Sequence, residues 1–177
     1  MIPSNRSQAI EAVDVLSDLI LDLIAGVMIF REYAVSSQRK PMPPEQLISV
    51  KRLCTFHLVL NLCKYIEFWK RYKSILPEQS KGAIKDQVKL LEARKIIEFR
   101  NKYVGHIWDD EFKRPLAHSE ILTRIESIYQ NDLDGWLNWI NNPRENVFPK
   151  TVLSVIESTK DALMSEFQIT ENEVIGR

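Results

Sequence analysis

The sequence predicts an all-α fold, an antiparallel four-helix bundle with an additional C-terminal helix, and three observations carry this. Apolar residues recur at steps of three and four along most of the chain, no segment alternates at period two, and isolated prolines and one glycine mark the breaks. With 177 residues, 45% hydrophobic and 27% charged, and only 5 glycines and 8 prolines, the chain suits one domain with a full core. That domain spans residues 1–177, with flexible ends expected at about residues 1–6 and 169–177. No repeat or low-complexity tract divides it.

The elements follow in order. Helix one is expected from Ser7 to Tyr33, with Ile10, Val13, Leu16, Ile20, Leu23, Val27 and Phe30 on its inner side. Pro41, Pro43 and Pro44 end it, because proline cannot continue a helix interior. Helix two is expected from Pro44 to Ile75, with Leu47, Val50, Leu53, Leu60 and Cys63 or Lys64 turned inward, and Pro77 stops it. Helix three covers Ala83 to Val104, and Gly105 is placed to take the left-handed C-terminal position. An irregular connection, Asp109 to Pro115, leads to helix four, Ser119 to Ile140, through Leu122, Ile125, Tyr129, Leu133, Trp136 and Trp139. After the loop NNPRENVFP, a shorter fifth helix begins near Pro149 and runs through Val152, Val155, Ile156, Leu163 and Phe167.

Bulk properties exclude several classes. The most apolar run, Leu19 to Phe30, contains Asp22 and is too short to span a bilayer, so a soluble, cytoplasmic protein with no membrane partner is expected. Cys54 and Cys63 lie on one helix about 13 Å apart, beyond disulfide reach, and read as free core thiols. The three histidines and two cysteines form no ligand cluster, Cys54 and His57 being the only close pair, so neither a metal nor a cofactor is expected. His57 reads as a core histidine with a hydrogen-bond partner, His118 as an exposed one, and the four tryptophans as core and interface residues. Net charge is zero, yet residues 39–102 carry 15 basic and 6 acidic side chains, including WKRYK from Trp69 to Lys73. Such a stretch is either solvated helix surface or a local stripe that attracts phosphate.

One stretch, IIEFRNKYVGHIWDD (residues 96–110), holds the chemistry. Ala93, Ile97, Arg100 and Val104, spaced four, three and four, share one helical face. Arginine cannot neutralise itself to escape burial, so an anion is expected to meet Arg100. That anion is a carboxylate such as Asp18, Asp22 or Glu67, or it is a substrate phosphate. A helix ending at Gly105 would put His106 in a turn able to fold back toward Arg100, with Asn101 and Lys102 adding polar reach and Tyr103 a ring for stacking. Arginine, amide and histidine at one helix end make a phosphate site with a group that titrates near neutral pH. Arg94 and Lys95 extend the positive charge one turn back.

RNKYVGH, Arg100 to His106, resembles the signature of the HEPN superfamily: an arginine, a polar residue directly after it, and a histidine after four further positions. The resemblance implies a helical bundle acting as a metal-independent endoribonuclease, often a toxin or abortive-infection effector in phage defence, usually a homodimer and often held by an antitoxin. It implies catalytic roles for Arg100, Asn101 and His106, with Lys102, Tyr103, Arg94 and Lys95 expected to bind the RNA substrate. Cleavage by the 2′-hydroxyl would leave a 2′,3′-cyclic phosphate and a 5′-hydroxyl. One departure stands out. Toxins of this superfamily silenced by a nucleotidyltransferase carry an acceptor tyrosine two positions after the histidine, where this chain has Trp108, which has no hydroxyl to modify. The rival expectation is a non-catalytic helical interaction or nucleotide-binding module that keeps the motif for packing.

Overall fold

The structure, a computed structural model, describes residues 5–39, 43–104, 108–109 and 113–175. Its helices are α1 (Asn5–Arg39), α2 (Pro44–Tyr72), α3 (Glu78–Ala93), α4 (Ile96–Phe99), α5 (His118–Tyr129), α6 (Leu133–Ile140), α7 (Val152–Glu166) and α8 (Glu171–Ile175). A π-helical turn, Arg100–Val104, continues α4, and a two-residue ribbon pairs β1 (Trp108–Asp109) with β2 (Arg114–Pro115). The all-α class stands.

α1 is the spine. Val13, Leu16, Leu23, Val27 and Phe30 are buried as the periodicity requires, and the helix packs along both α2 and α7. Glu11 meets Arg71, Asp22 meets Lys64, and Gly26 faces Leu58, so numbering rises along α1 as it falls along α2. The pair is antiparallel. At the other flank Arg6 meets Glu173 just beyond α7, which sets α7 antiparallel to α1 as well. α3 closes the bundle between α2 and α7. There Gln87 accepts from the Tyr65 hydroxyl (3.2 Å) and donates to the Thr151 carbonyl (2.9 Å), a buried polar link that satisfies all three groups.

Side chains end several helices. Asp132 caps α6 by accepting from the Gly135 N–H at 2.8 Å. Thr151 and Ser154 cap α7 reciprocally, each accepting the other's backbone N–H.

Three expectations are corrected. Helix three is not continuous to Val104: it breaks at Lys95, whose φ of 56° lies in the left-handed region. No glycine or proline marks the break; it turns Ile96 and Phe99 into the core, where both are buried. Burial overrides propensity here. Helix four is likewise split, at Gln130 and Asn131, both with positive φ. The inner side of α2 is only partly as expected: Cys63 is buried and Val50 packs on the core, but Leu53 is 68% exposed and Leu60 and Leu47 are each 41% exposed, while Leu58, Leu62, Tyr65, Ile66 and Phe68 are buried. Apolar residues encircle the middle of this helix, so spacing alone could not choose a side. Beyond α7, Ile169 is buried and Glu173 of α8 is tied to Arg6.

Other expectations stand. Cys54 and Cys63 are free and buried. His57 is partly buried on α2, and its Nε2 lies 2.9 Å from the Asp22 carbonyl, which fixes the ring against α1. Among the described residues no helix is long and apolar enough to cross a membrane.

Candidate functional site

The motif helix is short and irregular. The Lys95 break starts α4, the first turn of which is held by the Phe99 N–H on the Lys95 carbonyl (2.9 Å). From Arg100 the winding widens to a π-helix. A π-turn hydrogen-bonds less well than an α-turn and recurs at functional sites. Phe99 anchors it, edge-on to Phe56 of α2 (6.0 Å between centroids) and tilted against Tyr103 (5.2 Å).

Arg100 meets an anion, and it is a carboxylate: its Nη1 donates to Glu67 Oε1 of α2 at 2.8 Å. Its Nε donates to Asn101 Oδ1 at 3.1 Å. Of the three acids named for this part, Glu67 takes it, while Asp22 pairs with Lys64. The dry seam expected around Arg100 is absent. Its side chain is 33% exposed and that of Glu67 is 60% exposed, so the pair sits at the surface with one side against α2. The buried Cys63 thiol lies beside it, pushed up to about 11 by burial, with Arg100 opposing the rise and Glu67 adding to it. A guanidinium has five N–H donors. Two are used, and among the described residues no other group takes the remaining three.

His106 and Gly105 lie outside the described residues. The backbone of Trp108 is paired in the β-ribbon, opposite Pro115. Arg114 on the facing strand makes a bidentate pair with Glu120 (2.8 and 2.7 Å), and Glu120 also accepts from the Ala117 N–H at the start of α5. The Arg114 bond, with that backbone bond second, pushes the Glu120 carboxyl down to about 2.

The four residues expected to bind substrate divide. Lys102 pairs with Glu98 at 2.8 Å. Arg94, Lys95 and Tyr103 instead line a cavity of about 300 Å³ between the α3–α4 break and α5. Arg100 and Asn101 are not part of it; they face α2. The sequence reading missed Arg124 of α5, whose guanidinium lies over the Tyr103 ring at 4.8 Å. A basic residue one turn before Ile128 on a separate helix gives no sign of its partner in sequence. Much of the basic middle stretch is also neutralised locally, Arg71 by Glu11, Lys64 by Asp22 and Lys51 by Glu126.

Among the described residues no three histidine, cysteine, aspartate or glutamate side chains converge as a metal-binding group. No family model matches the chain, and no curated protein matches it. A similar solved structure is the integron cassette protein Vpc_cass2 from the mobile metagenome of V. paracholerae. It has a TM-score of 0.72 and 28% sequence identity, over 89% of this chain and 96% of that one. The two therefore share nearly the whole helical arrangement.

Proposed function

We propose that this chain is a metal-independent endoribonuclease of toxin or phage-defence type, acting as a homodimer and held in check by an antitoxin. The observation that carries the reading is the state of Arg100: clamped on two edges by Glu67 and Asn101, on a π-turn, with the rest of its fork open. A guanidinium fixed before the substrate arrives loses little freedom on binding a phosphate, and can hold it harder as charge builds in the transition state. In the proposed reaction the 2′-hydroxyl oxygen bonds to its neighbouring phosphorus and the bond to the 5′-oxygen breaks. The proton leaves the 2′-oxygen to a base, and another is delivered to the departing 5′-oxygen; His106 serves in one of these roles. Asn101 orients the guanidinium.

Support for the dimer comes from α2, where Leu53, Leu60 and Glu67 are spaced by sevens and so share one side of the helix. The outward apolar side chains thus lead directly to the carboxylate that holds Arg100.

A second reading has its own observation. Glu67 satisfies Arg100 without any ligand, as it would in a non-catalytic module. Incubation with a structured RNA, with product termini read by mass spectrometry, separates the two. The ribonuclease yields 2′,3′-cyclic phosphate ends that disappear in Arg100→Ala and His106→Ala and persist in EDTA; equal cleavage by wild type and both variants overturns the assignment.

A further inference from the structure

We propose that the cavity between the α3–α4 break and α5 is a separate site for a nucleoside phosphate, with the phosphate at Arg94 and Lys95 and the base against Tyr103 and Arg124. It goes beyond the cleavage reading and does not depend on it, since Arg100 lies on the other side of the motif helix.

Arg94 is the first support. Its Nη1 donates to the Ile128 carbonyl at 2.8 Å and its guanidinium stacks on Trp139 at 5.4 Å, but no carboxylate among the described residues stands within ion-pair distance. Burial holds it below the usual arginine range, with Asp132 acting weakly the other way. A partly desolvated cation with donors to spare, on the wall of a cavity, is a place for an anion. Lys95 stands beside it, turned out at the rim by its left-handed backbone.

The charge balance points the same way. Of the cavity's lining, Glu98 is the one acid, and it is already engaged by Lys102 at 2.8 Å and approached by Lys95 at 3.9 Å, so Arg94 keeps its charge unmatched by a bound carboxylate on this wall. The lining also includes two aromatic rings, Phe99 and Tyr103. The Arg124 guanidinium covering Tyr103 offers a flat cationic surface on which a base stacks. Gln130, also in the lining, carries an amide able to meet a base edge, while the Ser127 hydroxyl, donating to the Arg124 carbonyl, can only accept there. At about 300 Å³ the space matches one nucleotide and no more.

The same chemistry arises from a free nucleotide or from one residue of an RNA strand, and the test distinguishes them. AMP is titrated calorimetrically into the full chain, with inorganic phosphate as a competitor. Binding is expected, weakened about tenfold or more in Arg94→Gln and Arg124→Gln and unchanged in Arg100→Gln. Lys95→Gln, at an exposed position, gives a weaker loss of the same sign without risk to folding; circular dichroism checks the other variants. A 2′-O-methyl oligoribonucleotide, which cannot undergo 2′-hydroxyl attack, that displaces AMP identifies the strand as the source. Failure to displace bound AMP identifies the free nucleotide. Absence of AMP binding at about 10 mM, or binding that Arg94→Gln, Arg124→Gln and Lys95→Gln all leave unchanged, overturns the site. AMP binding by a chain that cleaves no RNA would sink the ribonuclease reading and leave this one standing.

Discussion

Glu67 Oε1 lies 2.8 Å from Arg100 Nη1, joining the C-terminal part of α2 to the π-turn that carries the motif. Both partners are substantially exposed, so the pair contributes at most about 1 kcal/mol to stability. Its use is orientation. Glu67→Gln is therefore expected to leave the melting temperature within about 2 °C of wild type while lowering kcat for RNA cleavage about tenfold, because a neutral amide holds the fork less firmly. Arg100→Ala should cost at least a hundredfold. Steady-state kinetics and a thermal melt on the same preparations check both; a Glu67→Gln enzyme as fast as wild type would show that the carboxylate positions nothing.

Gly26 tests the α1–α2 register. A Cβ built there would stand 2.7 Å from Leu58 Cδ2 and 2.8 Å from His57 Cδ2. Leu58 is fully buried and His57 is fixed on the Asp22 carbonyl, so neither side chain has room to retreat. Gly26→Ala gains helix propensity, but the crowding is larger, and a net loss of about 1–2 kcal/mol in urea unfolding is expected. A stabilised variant would mean that the helices are farther apart.

These two sites show what was legible in the chain and what was not. The seam of α1 is readable because Val13, Leu16, Leu23, Val27 and Phe30 keep helical spacing along most of its length, even though Leu21, Met28 and Ile29 face outward. α2 was misread because Leu53 and Leu60 keep the same spacing as core residues while facing outward. The break at Lys95 left no mark, since LLEARKIIEF is made of good helix formers and the left-handed turn is imposed by burying Ile96 and Phe99. The arginine's need for an anion was legible, as was Glu67 as one of three acids that could meet it. That Tyr103 and Arg94 would turn away from Arg100 toward Arg124 was not, because it follows from the break and the π-turn together.

The end of the chain should respond to acid. Glu173 accepts from the Thr170 N–H (3.0 Å) and from Arg6 (2.8 Å), and these bonds, the backbone one first, hold its carboxyl down to about 2. A lowered folded-state pKa means that the contribution is complete above the ordinary carboxylate range near 4.5 and is lost as pH falls from there toward about 2. Hydrogen exchange in residues 169–175 is accordingly expected to accelerate over that window, before the core amides of α1 respond. In Glu173→Gln the same amides should exchange faster at neutral pH and lose this acid step. Glu120 titrates over a similar range, so a global melt cannot separate the two and the local readout is required.

Activity is expected to need the homodimer. Transesterification is fastest when one group takes the 2′-hydroxyl proton and a second protonates the 5′-oxygen, yet each chain supplies one histidine in the motif. Two chains related by a twofold axis would supply two. The face available for this runs along α2, where Leu53 (68% exposed) and Leu60 (41%) point outward in line with Glu67. Side chains of this size so far out in water are a liability unless something covers them. Light scattering should therefore give about twice the 20.7 kDa chain mass, and specific activity should fall on dilution through the dissociation range. Leu53→Asp places a charge in the middle of the face without touching the core, and is expected to yield a folded monomer that cleaves at least tenfold more slowly. A monomer with full activity would show that one chain holds both the acid and the base, and would move the search for the second group to Tyr103 and His118.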